Sequence, residues 1–161
     1  RDVRTMRSLL GAILLSICAS AASANEQKCL AEALYFEARD QGIVGMVAVG
    51  VVIQNRVDHP DYPDTVCGVV HQGRYWRGNP IKYQCQFTYW CDGRPERPTD
   101  EESWRIAKGI AFNLLMKEIK ITGLEDATHY HADWVKPDWS MVLERKSKIG
   151  QHIFYAKKDG Q

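Results

Sequence analysis

The sequence is short of net charge: 21 Lys and Arg stand against 20 Asp and Glu, a formal balance of +1 over 161 residues. With no basic excess, nothing argues for nucleic acid as a partner. Internal repeats and low-complexity tracts are absent, which excludes solenoids and linker-like chains. No pair of cysteines has C-x-x-C spacing, which disfavours a structural zinc site. The apolar run from Leu9 to Ala22 is too short for a comfortable membrane span. With 45% hydrophobic and 25% charged residues, the composition is that of an ordinary globular protein, and the length suggests one domain with a real core.

What is present begins at the N-terminus. Arg1, Arg4 and Arg7 precede the apolar run, and Ala22-Ser23-Ala24 supplies an A-x-A site. Basic, apolar and small residues in that order are the signature of a secretory signal peptide, with cleavage expected after Ala24. A start at Met6 leaves the same signal. The alternatives are a buried N-terminal helix and a lipoprotein attached through Cys18; bulky Ile17 disfavours the second. The expected division is therefore 1–24 as signal and 25–161 as one mature domain, exported to the periplasm or secreted. Cleavage removes Cys18 and leaves Cys29, Cys67, Cys85 and Cys91. An even number in an exported chain suggests disulfides, and four cysteines allow three connectivities. Closeness in sequence favours Cys85–Cys91, with Cys29–Cys67 tying the first helix to a later segment.

Gln27 to Arg39 reads as a helix with Asn25 as N-cap, and Gly42 punctuates it. Val44 to Val57 is apolar nearly throughout. Its length favours a buried helix, ending before the breakers Pro60 and Pro63. A short helical turn is expected from Asp64 to His71. Gln72 to Pro98 is rich in Gly, Arg, Pro and aromatics. It reads as a long loop, with a short hairpin or disulfide-closed turn at Cys85 to Cys91; loops of that length are usually functional. Thr99-x-x-Glu102 is a capping-box pattern opening a helix to about Lys117, with Trp104, Ala107, Ala111 and Leu114 inside. Ala127 to His131 and Gln151 to Ala156 have β character and pair in a small sheet. The fold class is α+β, mostly helical, with a minor β element.

One carboxylate is out of place in that reading. At about 100° per residue, Leu34 lies roughly 40° from Leu30 and Glu37 roughly 20° on the other side, so Glu37 shares their apolar stripe. Glu32 and Arg39 fall on the opposite face, which is expected to be solvated. A buried carboxyl has its pKa raised and can hold a proton for general acid catalysis, and Asp40 nearby would add repulsion. Spacing alone leaves an equal alternative, a buried ion pair between Glu37 and Arg56. A second cluster, "ATHYHADWVKPDWS", places His129 and His131 on one strand face and Tyr130 on the other, followed by Trp134 and Trp139. Tyrosine and tryptophan beside polar groups suit a sugar groove. Trp139 and Phe154 lean to the core; for Tyr89, Trp90, Tyr130 and Trp134 both roles stay open. His129, His131 and His152 also admit a three-histidine zinc site with Glu37 as base.

These residues resemble the SleB-type cell wall hydrolases, the family that includes spore cortex-lytic enzymes. The likeness runs through Ala33 to Val57, Tyr62 to Val70, Cys85 to Gly93, "ATHYHADWVKPDW" and "IGQHIFY", in family order. It implies a lysozyme- or lytic-transglycosylase-like catalytic domain acting on peptidoglycan glycan. It implies that Glu37, in Glu37-Ala38-Arg39, is the catalytic acid, and that Gln86, Phe87, His129, Tyr130 and His131 line the groove. The family block often continues E-A-R-G-E, whereas this chain has Asp40 and Gln41.

The expected activity is cleavage of the β-1,4 bond between N-acetylmuramic acid and N-acetylglucosamine by a monomer without metal or cofactor. A lytic transglycosylase needs one carboxylate, whereas an ordinary hydrolase needs two. The rivals are a non-catalytic glycan-binding scaffold and a zinc amidase cutting the stem peptide from muramic acid.

Overall fold

A computed structural model of the chain describes residues 22–158. Helix α1 covers 22–38 and is sealed almost all round: Leu30, Ala31, Ala33, Leu34 and Ala38 have no exposed surface, and Tyr35 nearly none. It is the central helix of the domain. A one-turn 3-10 segment, Arg39–Gln41, and Gly42 (φ 71°) break it from helix α2, Gly42–Asp58. The apolar run of α2 is buried continuously from Gly45 to Ile53, as its length suggested. Gly50 permits a close crossing, since a Cβ there would meet Leu114 Cδ1 at 2.3 Å.

Two expected helix caps move. Asn25 lies inside α1, not at its start. Its neighbour Glu26 instead reaches the start of helix α3 (Val66–Val70), accepting from Val66 N at 2.6 Å and Cys67 N at 3.4 Å, while Thr65 is the N-cap and accepts from Gly68 N at 3.1 Å. Helix α4 runs Glu101–Leu115, two residues shorter than expected, and is capped by Asp100, which accepts from Ser103 N at 3.0 Å. The amides of Thr99 and Asp100 both donate to the buried Tyr35 hydroxyl at 3.0 Å, which fixes the entry to the helix. Ala107, Ala111 and Leu114 face inward as expected, joined by Ile110, while Trp104 is only partly buried.

The segment expected as a loop contains an antiparallel hairpin, β1 (Gly73–Trp76) and β2 (Asn79–Cys85), turned at Arg77-Gly78 with both φ positive. Its strands are mostly exposed, so no burial pattern marks them in the sequence. The 3-10 turn Thr88–Cys91 follows. Both favoured disulfides form, Cys29–Cys67 and Cys85–Cys91, with Cα–Cα separations of 5.3 and 6.2 Å.

The second sheet has strand order β3-β5-β4, all antiparallel: β3 is His129–Ala132, β4 Glu144–Ile149 and β5 His152–Ala156. The pairing of β3 with β5 matches the sequence reading. β4 was not expected, because "ERKSKI" carries no apolar alternation; it forms on the edge that β5 offers. The polar end of α2 anchors this sheet. Asn55 Nδ2 donates to the carbonyls of Leu124 (2.7 Å) and Ala127 (2.8 Å), and Arg56 Nε to that of Thr128 (2.7 Å). At the other end Gln41 clamps the β4–β5 turn. Its Oε1 accepts from Gln151 N at 2.8 Å, and its Nε2 donates to Gln151 Oε1 at 2.9 Å. Gly150 (φ 56°) is required in that turn, since a Cβ would lie 2.7 Å from Gln41 Oε1.

Most of the expected signal peptide, residues 1–21, lies outside the described residues; 22–24 form the exposed first turn of α1. Among the described residues, no helix is long and apolar enough to cross a membrane. The Cys29–Cys67 bridge closes a loop of 38 residues, worth about 4 kcal/mol by chain entropy. Replacing both cysteines by serine should therefore lower the stability measured by urea unfolding by that order, with near-native circular dichroism below the transition.

Candidate active site

Glu37 occupies the last turn of α1, where the helical core meets the β3-β5-β4 sheet. Its side chain is largely withdrawn from solvent, and burial raises its pKa to about 7. One hydrogen bond works against that rise: the Tyr130 hydroxyl donates to Glu37 Oε2 at 3.3 Å. Tyr130 is itself partly buried, and its withdrawal from water, with Glu37 beside it, holds its own pKa well above the ordinary phenol value. It therefore stays a donor. The expected repulsion from Asp40 is not among the causes of the Glu37 shift; Asp40 is exposed and acts on His152 instead.

The ion-pair alternative for Glu37 is not formed. Arg56 is buried, bonds the Thr128 carbonyl, and lies over the rings of Tyr62 (5.3 Å) and Phe87 (5.7 Å). It supports the strand that carries Tyr130 and makes no salt bridge with Glu37. Glu32 corrects the phase argument in the other direction. It is buried, not solvated, and its pKa is raised by burial, with Lys28 opposing and Glu96 adding to the rise. The face assigned to solvent is covered by the segment carrying Tyr89 and Glu96, which helical phase cannot see.

The structure separates the predicted groove residues. The period of two along β3 sends Tyr130 toward Glu37, and His129 and His131 to the opposite face. There both rings meet Trp139, at 5.3 and 5.4 Å, and His131 stacks on Tyr155. His129 and His131 therefore do not share a surface with Glu37, and Trp139 is half-buried among them and not core. His129 is pushed down to about 4 by burial, with nearby Arg56 and Lys157 adding to the fall. His152 lies on the Tyr130 face, its ring 5.0 Å from that of Tyr130. The three histidines of the alternative zinc reading are thus split between two faces. Among the described residues, no group of three or more His, Cys, Asp or Glu side chains converges to hold a metal.

Of the others, Phe87 is core, 1% exposed, and cannot touch a substrate. Gln86 and Trp134 are exposed. Trp90 stacks on His71 at 3.6 Å, and its Nε1 donates to the Tyr75 hydroxyl at 3.0 Å. Tyr89 stacks on Phe36 at 4.8 Å, and its hydroxyl is close enough to Glu32, Glu37 and Glu96 for all three to raise its pKa. A cleft of about 190 Å³ opens here, lined by Phe36 and Tyr89. A cavity of about 230 Å³ between α2 and segment 117–125 contains none of the predicted site residues. The residues that sequence reasoning missed are Glu32 and Gln41. Glu32 was hidden by tertiary cover, while the amide at 41 was read as a missing acid and not as a clamp.

A helical body, a small antiparallel sheet and one proton-holding carboxyl at their junction define an α+β domain of the lysozyme and lytic-transglycosylase type. The comparisons with known proteins make this specific. The chain belongs to the cell wall hydrolase family, whose model matches residues 40–155, beginning three residues beyond Glu37. It is 42% identical over 133 residues to the spore cortex-lytic enzyme of Bacillus subtilis strain 168, covering 82% of this chain and 38% of that protein. Against the spore cortex-lytic enzyme of Halalkalibacterium halodurans it is 32% identical over 133 residues, covering 82% and 35%. The chain thus spans well under half the length of these relatives. Two solved structures are similar in fold. The catalytic domain of the germination-specific lytic transglycosylase SleB from Bacillus anthracis has TM-score 0.62 and 30% identity, over 81% of this chain and 93% of that one. The catalytic domain of the Bacillus cereus SleB protein has TM-score 0.58 and 26% identity, over 82% and 90%.

The Tyr130 bond lowers the Glu37 pKa, so its removal must raise it. In Tyr130→Phe, the ionisation of Glu37, followed by NMR of the labelled carboxyl, should move above about 7. A midpoint unchanged or lowered would show that the bond does not act on Glu37.

Proposed function

We propose that the protein cleaves peptidoglycan glycan strands at the bond between N-acetylmuramic acid and N-acetylglucosamine, as a lytic transglycosylase with Glu37 as its only catalytic carboxylate. The observation that carries this reading is the Glu37 carboxyl, withdrawn from solvent, held near pKa 7 and bonded, among the described residues, by Tyr130 alone. Such a group is protonated in a large fraction of molecules at neutral pH, as a general acid must be. It would give its proton to the glycosidic oxygen as the C1–O bond breaks. The substrate's N-acetyl group would stabilise the cation-like centre. The ionised Glu37 would then take the proton of the muramic 6-hydroxyl as O6 closes on C1, giving a 1,6-anhydro end. Proton and electron pairs balance without water or a second acid.

Two observations favour this over hydrolysis. Among the described residues, no second carboxylate acts on Glu37 strongly enough to enter the causes of its shift. The similar SleB domain from Bacillus anthracis carries the name lytic transglycosylase. The N-terminal pattern and the two disulfides support action outside the cytoplasm, in the periplasm or beyond the cell. We take the working unit to be a monomer acting on glycan without a cofactor, with no role for nucleic acid or for membrane insertion after signal cleavage.

The test is digestion of purified sacculi by the mature protein, with mass spectrometry of the released muropeptides. Anhydro-muropeptides are expected; reducing ends would mean hydrolysis, and no soluble product would favour a scaffold. Loss of activity with EDTA would favour the amidase. Glu37→Gln should abolish turnover. A carboxyl whose folded pKa exceeds its unfolded value binds more protons when folded, so stability falls as pH rises from about 4.5 to about 7. Glu37→Gln should therefore be the more stable protein above pH 7, by on the order of 2 kcal/mol, and should lose that slope in urea unfolding.

A further inference from the structure

The β1–β2 hairpin departs from the charge balance of the chain. Residues 73–85 carry Arg74, Arg77 and Lys82 and no acidic residue, in a chain whose overall balance is only +1. Among the described residues, none of these three cations makes a salt bridge. Three aromatic side chains share the hairpin and are left in water: Tyr75 is 44% exposed, Trp76 68% and Tyr83 65%. Arg77 lies 5.7 Å from the centre of the Trp76 ring and Lys82 5.0 Å from that of Tyr83, so a cation is held beside each of these exposed rings. Tyr83 also has φ 60°, a left-handed conformation that a bulky residue rarely adopts. Burial gives no reason to keep an aromatic ring there.

The hairpin is presented from a fixed base. The Tyr75 hydroxyl donates to the His71 carbonyl at 2.6 Å and accepts from Trp90 Nε1 at 3.0 Å. Gln86 N donates to the Gln72 carbonyl at 2.9 Å, and the Cys85–Cys91 bridge ties the end of β2 to the 3-10 turn. An arm held in this way loses less freedom on binding than a free loop does. Its chemistry narrows what can cover it. The large apolar residues it exposes are all Trp or Tyr, whereas the exposed aliphatic side chains and Phe112 lie elsewhere in the chain. Flat rings with polar tips suit the faces and hydroxyls of sugars, while insertion into a bilayer draws on Leu and Phe. The cations call for anions beside those sugars. Peptidoglycan joins the two, since the stem peptides on its muramic residues carry free carboxylates along the strand.

We propose that the β1–β2 hairpin is an anchoring arm for the peptidoglycan polymer. Trp76 and Tyr83 stack on sugar rings of a strand, and Arg74, Arg77 and Lys82 take the carboxylates of its stem peptides. The inference rests on the glycan-cleaving reading and adds a second point of attachment to it. A polymer held at the hairpin raises the local concentration of its bonds around the enzyme, without any new contact at Glu37. The arm therefore serves the insoluble, multivalent wall.

The test uses the mature, disulfide-bonded protein. Binding to purified sacculi is measured by co-sedimentation in the Glu37→Gln background, so that the wall is not digested. Adding Trp76→Ala and Tyr83→Asn, the second suited to a left-handed backbone, should weaken that binding roughly tenfold. Adding Arg74→Gln and Lys82→Gln instead should weaken it about threefold at low salt and leave it unchanged at high salt. On sacculi stripped of stem peptides the charge substitutions should lose their effect and the aromatic ones keep theirs. Both sets lie on exposed strands and should keep the thermal midpoint. With Glu37 intact, the aromatic variant should need more sacculi for half-maximal release of product at an unchanged maximal rate. Sacculus binding unchanged in the aromatic variant, or hairpin-dependent binding to phosphatidylglycerol vesicles with none to sacculi, overturns the proposal. Release of product separates the two readings. Release with binding unchanged by the hairpin substitutions leaves Glu37 standing and removes the arm. Hairpin-dependent binding without release keeps the arm and removes the proposed chemistry.

Discussion

The hydrogen bond from Tyr130 to Glu37 joins residues 93 apart in the chain, and the arrangement of the domain converges on it. Its two ends belong to different layers. Glu37 rides on the central helix, which is fixed by its own burial, by the Cys29–Cys67 bridge and by the Tyr35 hydroxyl. Tyr130 rides on β3, which depends on three side-chain bonds from Asn55 and Arg56 at the end of α2. The bond exists only if both layers are in register. It is also the one contact that opposes the desolvation of Glu37, so the same geometry that assembles the domain sets the proton affinity of its inward acid.

The position after the E-A-R block takes a different meaning in this light. Gln41 presents a carbonyl to the Gln151 amide and an NH2 to the Gln151 side chain, holding the β4–β5 turn against the α1–α2 junction. A carboxylate at 41 could accept from the backbone amide but could not donate to Gln151 Oε1. The amide thus completes a clamp on the sheet that carries Tyr130, a few residues from Glu37. The departure from the family pattern is a feature of assembly, and the proposed single-carboxylate chemistry asks nothing more of it.

Glu32, buried, and Glu37, half-buried, show how one helix can hold two carboxyls withdrawn from water without coupling them. Both have raised pKa values because both are withdrawn from water, yet neither enters the causes of the other's shift. Tyr89 lies within range of both and of Glu96.

Local pattern and elementary sterics determined much of this protein. The apolar length of Val44 to Val57, the breakers after it, the β-rich ends of the last segment and the even cysteine count each have a local cause. All four are seen in the structure, as are both disulfide pairings. The period of two along β3 even separated Tyr130 from His129 and His131, although the groove reading placed them together. Tertiary structure alone decided which surfaces were covered. Helical phase marks one face of α1 as inward, but it carries no information about the segment that folds over the other, so Glu32 was assigned to water. The exposed hairpin and the edge strand β4 have no burial pattern to reveal them, because their stability comes from a paired neighbour and not from an apolar face. Phe87 could become core, and Tyr89 a buried wall of a cleft, only once the chain had closed around them.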